Sequence, residues 1–205
     1  MKRLVIIGAG GHGAVAADIA ALRGYARICF LDDRAQQAPL GYPLAGRVSD
    51  WHDFREDSEF FVAIGNCPVR EKIQRMLQSN GATIAILVHP RAVIGSHVEI
   101  GAGSIIAAGA VINTGTKMAD GVILNTCASV DHDCIVGSFS HIAVGAHVCG
   151  TVSVGARTWI GAGATVINNV SVCEDCMIGA GAVVVDSIET PGTYLGVPAR
   201  TKQKV

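Results

Sequence analysis

Residues 142–160 read IAVGAHVCGTVSVGARTWI. Every sixth residue of this stretch is apolar, namely Ile142, Val148, Val154 and Ile160. The same spacing runs without insertion from Ile94 to Val184, and all sixteen positions of the series are apolar. A period of six fits neither the 3.6-residue turn of an α-helix nor the two-residue alternation of a strand. It is typical of hexapeptide repeats and therefore predicts a parallel β-helix.

Each repeat is interpreted as a short strand followed by a corner. The apolar residue and the small residue two positions before it point inward, since alternate strand residues share one face. The residue three positions after it is mostly Gly, Asn or Asp, as in Gly145, Asn169 and Asp175, and these residues tolerate positive φ. Three strands close one coil, so the series predicts about five stacked coils, roughly 25 Å in height.

The composition argues against several classes of protein. The 205-residue chain carries a net charge of −1, which gives no electrostatic basis for binding nucleic acid or an anionic membrane. No apolar run approaches the length of a membrane span, and the first residues, MKRLVIIGAGGHG, do not resemble a signal peptide. Seven cysteines, with one isolated pair at Cys173 and Cys176, favour reduced thiols in the cytoplasm over a disulfide framework or a metal site.

The first part of the chain has a βαβ pattern. An apolar strand at 2–7 precedes Gly8, Gly10 and Gly13 in G-x-G-x-x-G spacing, and a helix from Ala14 to about Leu22 leads to a second strand at 26–33. Such glycines let the backbone approach a phosphate at the N-terminus of a helix. The second strand ends in Asp32 and Asp33, either of which could hold a ribose or sugar hydroxyl.

Two domains are predicted, 1–88 and 89–205. Further strands at 59–64 and 83–88 and a helix at 69–78 complete the first domain before Pro90. This domain is about half as long as a dinucleotide fold, so a ligand with one nucleoside fits better than NAD. The segment after residue 188 leaves the six-residue rhythm, and we expect it to cover the open strand edges of the last coil.

One corner of the repeat carries candidate catalytic groups, Asp131-His132-Asp133. His132 occupies an outward register, and Gly150 stands eighteen residues later, one coil above on the same corner. An imidazole beside a vacant position could accept a proton from an attacking amine or hydroxyl. Asp133 could orient the ring and favour its protonated form, or could simply form the turn.

The chain resembles a known family over nearly its whole length. The motifs that carry the likeness are GAGGHGAVAADIA (8–20), LDD (31–33), AIGN (63–66), ILNTCASVDHDCIVGSFSHIAVGAHVCG (123–150) and GVPAR (196–200). Together they are similar to the bacterial nucleotide-sugar acetyltransferases, which include bacillosamine and perosamine N-acetyltransferases and sialic acid O-acetyltransferases. This resemblance implies a mixed fold, with a small Rossmann-like α/β domain followed by a left-handed parallel β-helix.

The resemblance also implies an activity, acetyl transfer from acetyl-CoA to the 4-amino group of a UDP-, GDP- or dTDP-linked sugar, in a homotrimer with sites between neighbouring chains. His132 matches the family's general base, and Asp133 matches the following acid, where bacillosamine-type enzymes carry Glu. The acetyl-CoA contacts fall on His141, Gly150, Ala162 and Ala180. The nucleotide-sugar contacts fall on Gly10, Gly11, His12, Asp32, Asp33 and Gly65. No metal is implied.

Other functions remain open at this point. The acceptor could be a hydroxyl, as in sialic acid O-acetylation, or the acyl group could pass through Cys127, Cys134 or Cys149. A zinc enzyme of the γ-carbonic anhydrase type would draw on His97, His132, His141 and His147, although the spacing of these histidines differs from the known pattern. A non-catalytic protein that binds nucleotide sugars is the remaining alternative.

Overall fold

A computed structural model describes residues 3–202, and the chain divides into two compact units, Met1–Pro90 and Arg91–Val205. The N-terminal unit contains a five-stranded parallel sheet in the order β3-β2-β1-β4-β5. Its strands are β1 (Arg3–Ile7), β2 (Arg27–Leu31), β3 (Leu44–Gly46), β4 (Ser58–Val62) and β5 (Thr83–Ile84), followed by β6 (Leu87–Val88). Its helices are α1 (Gly11–Leu22) and α2 (Cys67–Ser79), with 3₁₀ turns at Pro39–Gly41 and Val48–Phe54.

The predicted βαβ pattern is present, with three differences. Helix α1 begins at Gly11 and not at Ala14, so that Gly13 lies inside its first turn, where a Cβ would be 2.1 Å from the carbonyl oxygen of Gly8. The predicted strand at 83–88 is split into β5 and β6, and Ile86 between them is 42% exposed. Strand β3 was not predicted. Its segment is short and flanked by Pro and Gly, and it forms a strand through its pairing with β2, which is not visible in the local sequence.

The second unit is a left-handed parallel β-helix: the period of six predicts the parallel β-helix, and the family resemblance implies its left hand. Each strand pairs with strands eighteen residues away, as in Val111↔Ser129 and Ser129↔His147. Three sheets result, which we call sheet 1 (β7, β10, β13, β16, β19, β22), sheet 2 (β8, β11, β14, β17, β20) and sheet 3 (β9, β12, β15, β18, β21). The two-residue strands β7 to β22 are 93–94, 99–100, 105–106, 111–112, 117–118, 123–124, 129–130, 135–136, 141–142, 147–148, 153–154, 159–160, 165–166, 171–172, 177–178 and 183–184.

The corners have the predicted conformation. Every residue three positions after an inward apolar residue, from His97 to Gly181, has positive φ. Glycine fills seven of these fifteen positions, and the others include Asp133 at 56°, Phe139 at 60° and Arg157 at 58°. A side chain in this region costs roughly 1–2 kcal/mol, so the packing of neighbouring coils stabilises the turns that lack glycine.

The interior of the β-helix is apolar, with hydroxyls at some corners. The inward series is buried from Ile106 to Val184, whereas Ile94 in the first coil is 39% exposed. Thr158 is fully buried, donates through Oγ1 to the carbonyl of Cys173 (2.7 Å) and accepts from the amide of Cys176 (3.1 Å). This hydroxyl therefore satisfies one acceptor and one donor of the next coil, as buried backbone groups require.

Replacing Thr158 with valine is expected to lower the free energy of unfolding by about 2 kcal/mol, because two buried backbone groups lose their partner while the volume is kept. Urea unfolding followed by circular dichroism measures this change. Thr165→Val, on the outward face of strand β19, is the matched control and should change the stability by less than about 0.5 kcal/mol. Equal stabilities for Thr158→Val and wild type would show that the hydroxyl is dispensable.

The tail covers the last strands, as predicted. Strand β23 (Thr193–Leu195) pairs in parallel with β21, and β24 (Arg200–Thr201) pairs antiparallel with β23. Ile188 bridges to Val172 in sheet 2, and the amide of Ala199 donates to the carbonyl of Val183 in sheet 1. The open edge of each sheet is therefore occupied at this end. Neither helix within residues 3–202 is long and apolar enough to cross a membrane.

Candidate active site

The corner between β13 and β14 holds His132 against a vacant position. Gly150 lies one coil above, between β16 and β17, and a Cβ placed on it would be 2.5 Å from His132 Nε2. The imidazole therefore occupies the space that any other residue at 150 would need. Both residues line a cleft of about 350 Å³, together with Asp131, Cys149, Thr151, Asn168 and Asn169. The vacant position predicted beside His132, which we call the notch, is therefore present in a single chain.

Asp133 both forms the turn and binds the imidazole. Its φ of 56° places it in the left-handed region, and its Oδ2 accepts a hydrogen bond from His132 Nδ1 at 2.9 Å. The shorter Asp arm therefore reaches the ring. This hydrogen bond raises the pKa of His132 above its ordinary value. With Nδ1 bound as the donor, Nε2 is the atom that accepts a proton.

Asp131 supports the same corner, although no role of its own was predicted for it beside His132 and Asp133. Its Oδ1 accepts hydrogen bonds from Asn113 Nδ2 (2.6 Å) and from the amide of His132 (2.8 Å). These two contacts hold the pKa of Asp131 below its usual range. Asn113 and Asp131 are eighteen residues apart, so the coil period was the available signal. A second carboxylate thus lies within the cleft of His132.

The three cysteines considered for an acyl-cysteine route have different surroundings. Cys134 is fully buried, and its thiol donates to the carbonyl of Cys149 at 3.1 Å. Burial raises the pKa of Cys134, which keeps it a neutral thiol and argues against an acyl-cysteine route through this residue. Cys149 lies on the cleft wall and Cys127 is exposed.

The Gly-rich loop of the N-terminal unit has two kinds of glycine. Gly8, with φ of +105°, and Gly13 are packed so closely against backbone that a side chain would not fit. Gly10 and Gly11 in this loop, and Gly65 in the turn after β4, instead face open space, since an added Cβ would meet no atom within 4 Å. The open glycines are the three predicted to contact substrate.

The two predicted acids are not equivalent. Asp32 accepts hydrogen bonds from the amides of Ala9 (2.8 Å), Arg34 (2.8 Å) and Ala35 (2.9 Å), so it holds the Gly-rich loop in place. Partial burial raises the pKa of Asp32, but these three hydrogen bonds together outweigh burial and leave the pKa below its usual range. Asp33 accepts one hydrogen bond, from the amide of Val48 at 3.0 Å. Asp33 therefore has more capacity to accept from a ligand hydroxyl.

His12 lies in the first turn of α1, and its imidazole is partly buried and neutral. Its Nε2 is buried and has no hydrogen-bond partner within residues 3–202. Burial, with a smaller contribution from the positive charge of Arg70, lowers the pKa of His12 to about 4. The ring therefore stays uncharged at neutral pH, and Nε2 keeps an unused capacity to form a hydrogen bond.

Known protein families match the two units of the chain separately. Residues 3–77 match the PglD N-terminal domain, and residues 151–186 match the bacterial transferase hexapeptide of six repeats. UDP-N-acetylbacillosamine N-acetyltransferase of Bacillus subtilis is 32% identical over 115 residues, which are 53% of this chain and 52% of that protein. The chain thus spans about half the length of this curated relative.

Two solved structures are similar over nearly their full lengths. The acetyltransferase domain of PglB from Neisseria gonorrhoeae, in complex with acetyl coenzyme A, is 39% identical with a TM-score of 0.96 and covers 98% of this chain and 99% of its own. The chain belongs to the bacterial nucleotide-sugar acetyltransferases. PerB from Caulobacter crescentus, in complex with CoA and GDP-perosamine, is another such relative, 36% identical with a TM-score of 0.94 and coverages of 99% and 98%.

The residues that the family resemblance predicts to contact acetyl-CoA lie in three places. Gly150 is at the corner between sheets 1 and 2, whereas Ala162 and Ala180 are exposed at the corner between sheets 3 and 1. His141 is in sheet 3 and is only 6% exposed; its Nε2 lies 3.1 Å from Asn125 Nδ2, and its ring lies 4.0 Å from that of Trp159. A single chain therefore does not bring these residues together around His132.

The histidines considered for zinc do not form a cluster. Within residues 3–202, no group of three or more His, Cys, Asp or Glu side chains is placed to hold a metal ion. His147 instead shares a hydrogen bond with Ser129 (Nδ1 to Oγ, 2.8 Å), and His97 forms a corner with φ of 57°.

Proposed function

We propose that this chain is an acetyl-CoA-dependent N-acetyltransferase that acetylates the 4-amino group of a nucleotide-linked 4-amino-4,6-dideoxy sugar for bacterial surface glycan synthesis. The observation that carries the proposal is His132, whose Nδ1 is bound to Asp133 while Nε2 lies over the vacant position of Gly150. The relatives support the choice of substrates, since one was solved with acetyl-CoA and another with CoA and GDP-perosamine.

The reaction is a direct transfer with His132 as the general base. The acceptor nitrogen attacks the thioester carbonyl while Nε2 of His132 accepts a proton from that nitrogen. The tetrahedral intermediate then collapses, the carbon–sulfur bond breaks, and the proton on His132 passes to the thiolate of CoA. Asp133 stabilises the imidazolium that forms between these two steps. Gly150 leaves room for the ring, and with His141, Ala162 and Ala180 it forms the proposed acetyl-CoA site.

The N-terminal unit binds the nucleotide part of the acceptor in this proposal. Gly10, Gly11 and Gly65 leave their backbone accessible, and neutral His12 offers Nε2. Asp33 has a carboxylate oxygen for a hydroxyl, while Asp32 acts through its contact with the amide of Ala9. The unit contains one five-stranded parallel sheet, which fits one nucleoside better than a dinucleotide.

The positions of the acetyl-CoA residues support a homotrimer. Gly150 and the pair Ala162 and Ala180 lie on different corners of one β-helix. An acetyl-CoA molecule that contacts both sets is therefore shared by neighbouring chains, and a ring of three chains gives each His132 one such neighbour. Sedimentation of the purified protein at micromolar concentration tests this state, and a monomer with full activity would contradict it.

The proposed compartment is the cytoplasm. All seven cysteines are free thiols, including Cys173 and Cys176, whose sulfurs are 3.4 Å apart and not bonded. Reduced thiols are the rule in cytosolic proteins.

The decisive experiment is a mass-shift screen with acetyl-CoA. UDP-, GDP- and dTDP-linked 4-amino sugars and free sialic acid are incubated with the protein, and a gain of one acetyl group is measured. We expect acetylation of one nucleotide-linked amino sugar and none of sialic acid. Acetylation of sialic acid alone would replace the proposal with O-acetyl transfer, and binding without turnover would leave a non-catalytic nucleotide-sugar protein.

Asp133→Asn is expected to move the acid limb of the pH profile of kcat/KM to lower pH. The general base must be neutral, so kcat/KM rises as the pH passes through the pKa of His132. Asp133 raises that pKa, and removing its charge lowers it, while Asn tolerates the positive φ of the turn. Asp175→Asn is the matched control, because Asp175 has φ of 56° but binds Arg157. An acid limb that does not move would remove Asp133 from the mechanism.

A further inference from the structure

Arg70 is the largest fully buried side chain of the described residues, and it lies beneath the turn that follows β4. Its Nη1 donates to the carbonyl oxygens of Ile64 (2.8 Å) and Gly65 (2.9 Å), and its Nη2 lies 3.7 Å from Cys67 Sγ. Burying a guanidinium is costly unless its donors are used, and a planar fork fixes the direction of the groups it binds. Arg70 therefore orients two consecutive peptide groups of one turn.

The direction of these carbonyls determines the direction of the neighbouring amides. In a trans peptide the C=O and the following N–H point in opposite directions. The amides of Gly65 and Asn66 therefore point away from the guanidinium. Within residues 3–202, neither amide donates a hydrogen bond. Two backbone donors are thus held outward by a side chain on the opposite side of the turn.

The same turn borders the Gly-rich loop. A Cβ on Gly8 would lie 2.9 Å from the carbonyl oxygen of Ala63 and 3.2 Å from Ile64 Cγ1, so loop and turn are in contact. Gly65 faces open space, with no atom within 4 Å of an added Cβ. The outward amides accordingly adjoin the surface that carries the accessible glycines.

We propose that Arg70 is a positioning residue for nucleotide binding: it holds the Ile64–Gly65 carbonyls inward so that the amides of Gly65 and Asn66 donate to oxygen atoms of the nucleotide. This inference rests on the proposed function for the identity of the ligand. Arg70 does not touch the nucleotide. Lysine at this position keeps the charge but lacks the planar fork that bridges two carbonyls.

Isothermal titration of wild type and Arg70→Lys with free UDP, GDP and dTDP tests the inference without acetyl-CoA. For the nucleotide that binds wild type most tightly, we expect Kd to rise about tenfold in Arg70→Lys, as loss of one or two oriented hydrogen bonds would give. Kd for CoA should be unchanged, and in turnover KM for the acceptor should rise while kcat is kept. Arg75→Lys, on the exposed face of the same helix and paired with Glu71, is the control.

A second measurement covers the case in which Arg70→Lys does not fold. In wild type selectively labelled with ¹⁵N-glycine, the Gly65 amide resonance should shift on addition of the nucleotide. An unshifted Gly65 resonance at saturation, an unchanged Kd in folded Arg70→Lys, or binding of none of the three nucleotides by wild type would overturn the inference. Weakened nucleotide binding in Arg70→Lys, with no acetylation of any acceptor by wild type, would uphold it and reject acetyl transfer.

Discussion

Replacing His132 with alanine is expected to lower kcat by roughly 10²–10⁴, the usual contribution of a general base. The effect should fall on kcat, because the imidazole assists the transfer step, while Kd for the nucleotide barely changes. Stopped assays of CoA release, together with titration of the nucleotide, separate the two quantities. An alanine variant that retains full kcat would remove His132 from the mechanism.

The matched control is His97→Asn. His97 lies on the same corner of the β-helix, two coils below His132, and its φ of 57° suits asparagine. It has no role in the proposed reaction, so kcat and KM should equal those of wild type. Equal losses in His97→Asn and His132→Ala would indicate a general effect on the corner and not general base catalysis.

The β-helix could be predicted from the sequence because its determinants repeat at short range. The inward residues recur every six positions, so each coil repeats the same sequence pattern. Even corner residues other than glycine, such as Phe139, adopt the positive φ that their position in the repeat requires. The notch was visible for the same reason, since the coil period places Gly150 above His132. Only the first coil departed from the pattern, where Ile94 is partly exposed.

The properties of the N-terminal unit could not be predicted in this way, because they depend on residues distant in sequence. Either Asp32 or Asp33 was predicted to bind a ligand hydroxyl, and the difference between them was not visible, because the contact of Asp32 with the amide of Ala9 arises only when β2 pairs with β1. The neutrality of His12 depends on burial and on Arg70, a residue of the second helix. No local pattern around His12 or Asp32 carries this information.

Adding a side chain at position 150 is expected to have the second large effect. Gly150→Ala should lower kcat by roughly 10² or more, the contribution of a correctly placed general base. The added Cβ would lie 2.5 Å from Nε2 and 2.7 Å from Cε1 of His132. Gly150 does not have positive φ, so alanine strains no backbone. The half-exposed imidazole is the group that can move to relieve this contact. We expect the displaced ring to leave the cleft and to lose its hydrogen bond to Asp133.

This variant separates placement of the base from its chemistry, since the imidazole remains in the chain. We expect the melting temperature to be within about 2 °C of wild type, because a flexible side chain relieves the contact, whereas kcat falls. Gly192→Ala is the control, since its added Cβ would make only an ordinary contact, 3.6 Å from Tyr194 Cε2. Full activity in Gly150→Ala would mean that His132 does not act from the notch, and the acyl-transfer geometry proposed for this corner would be wrong.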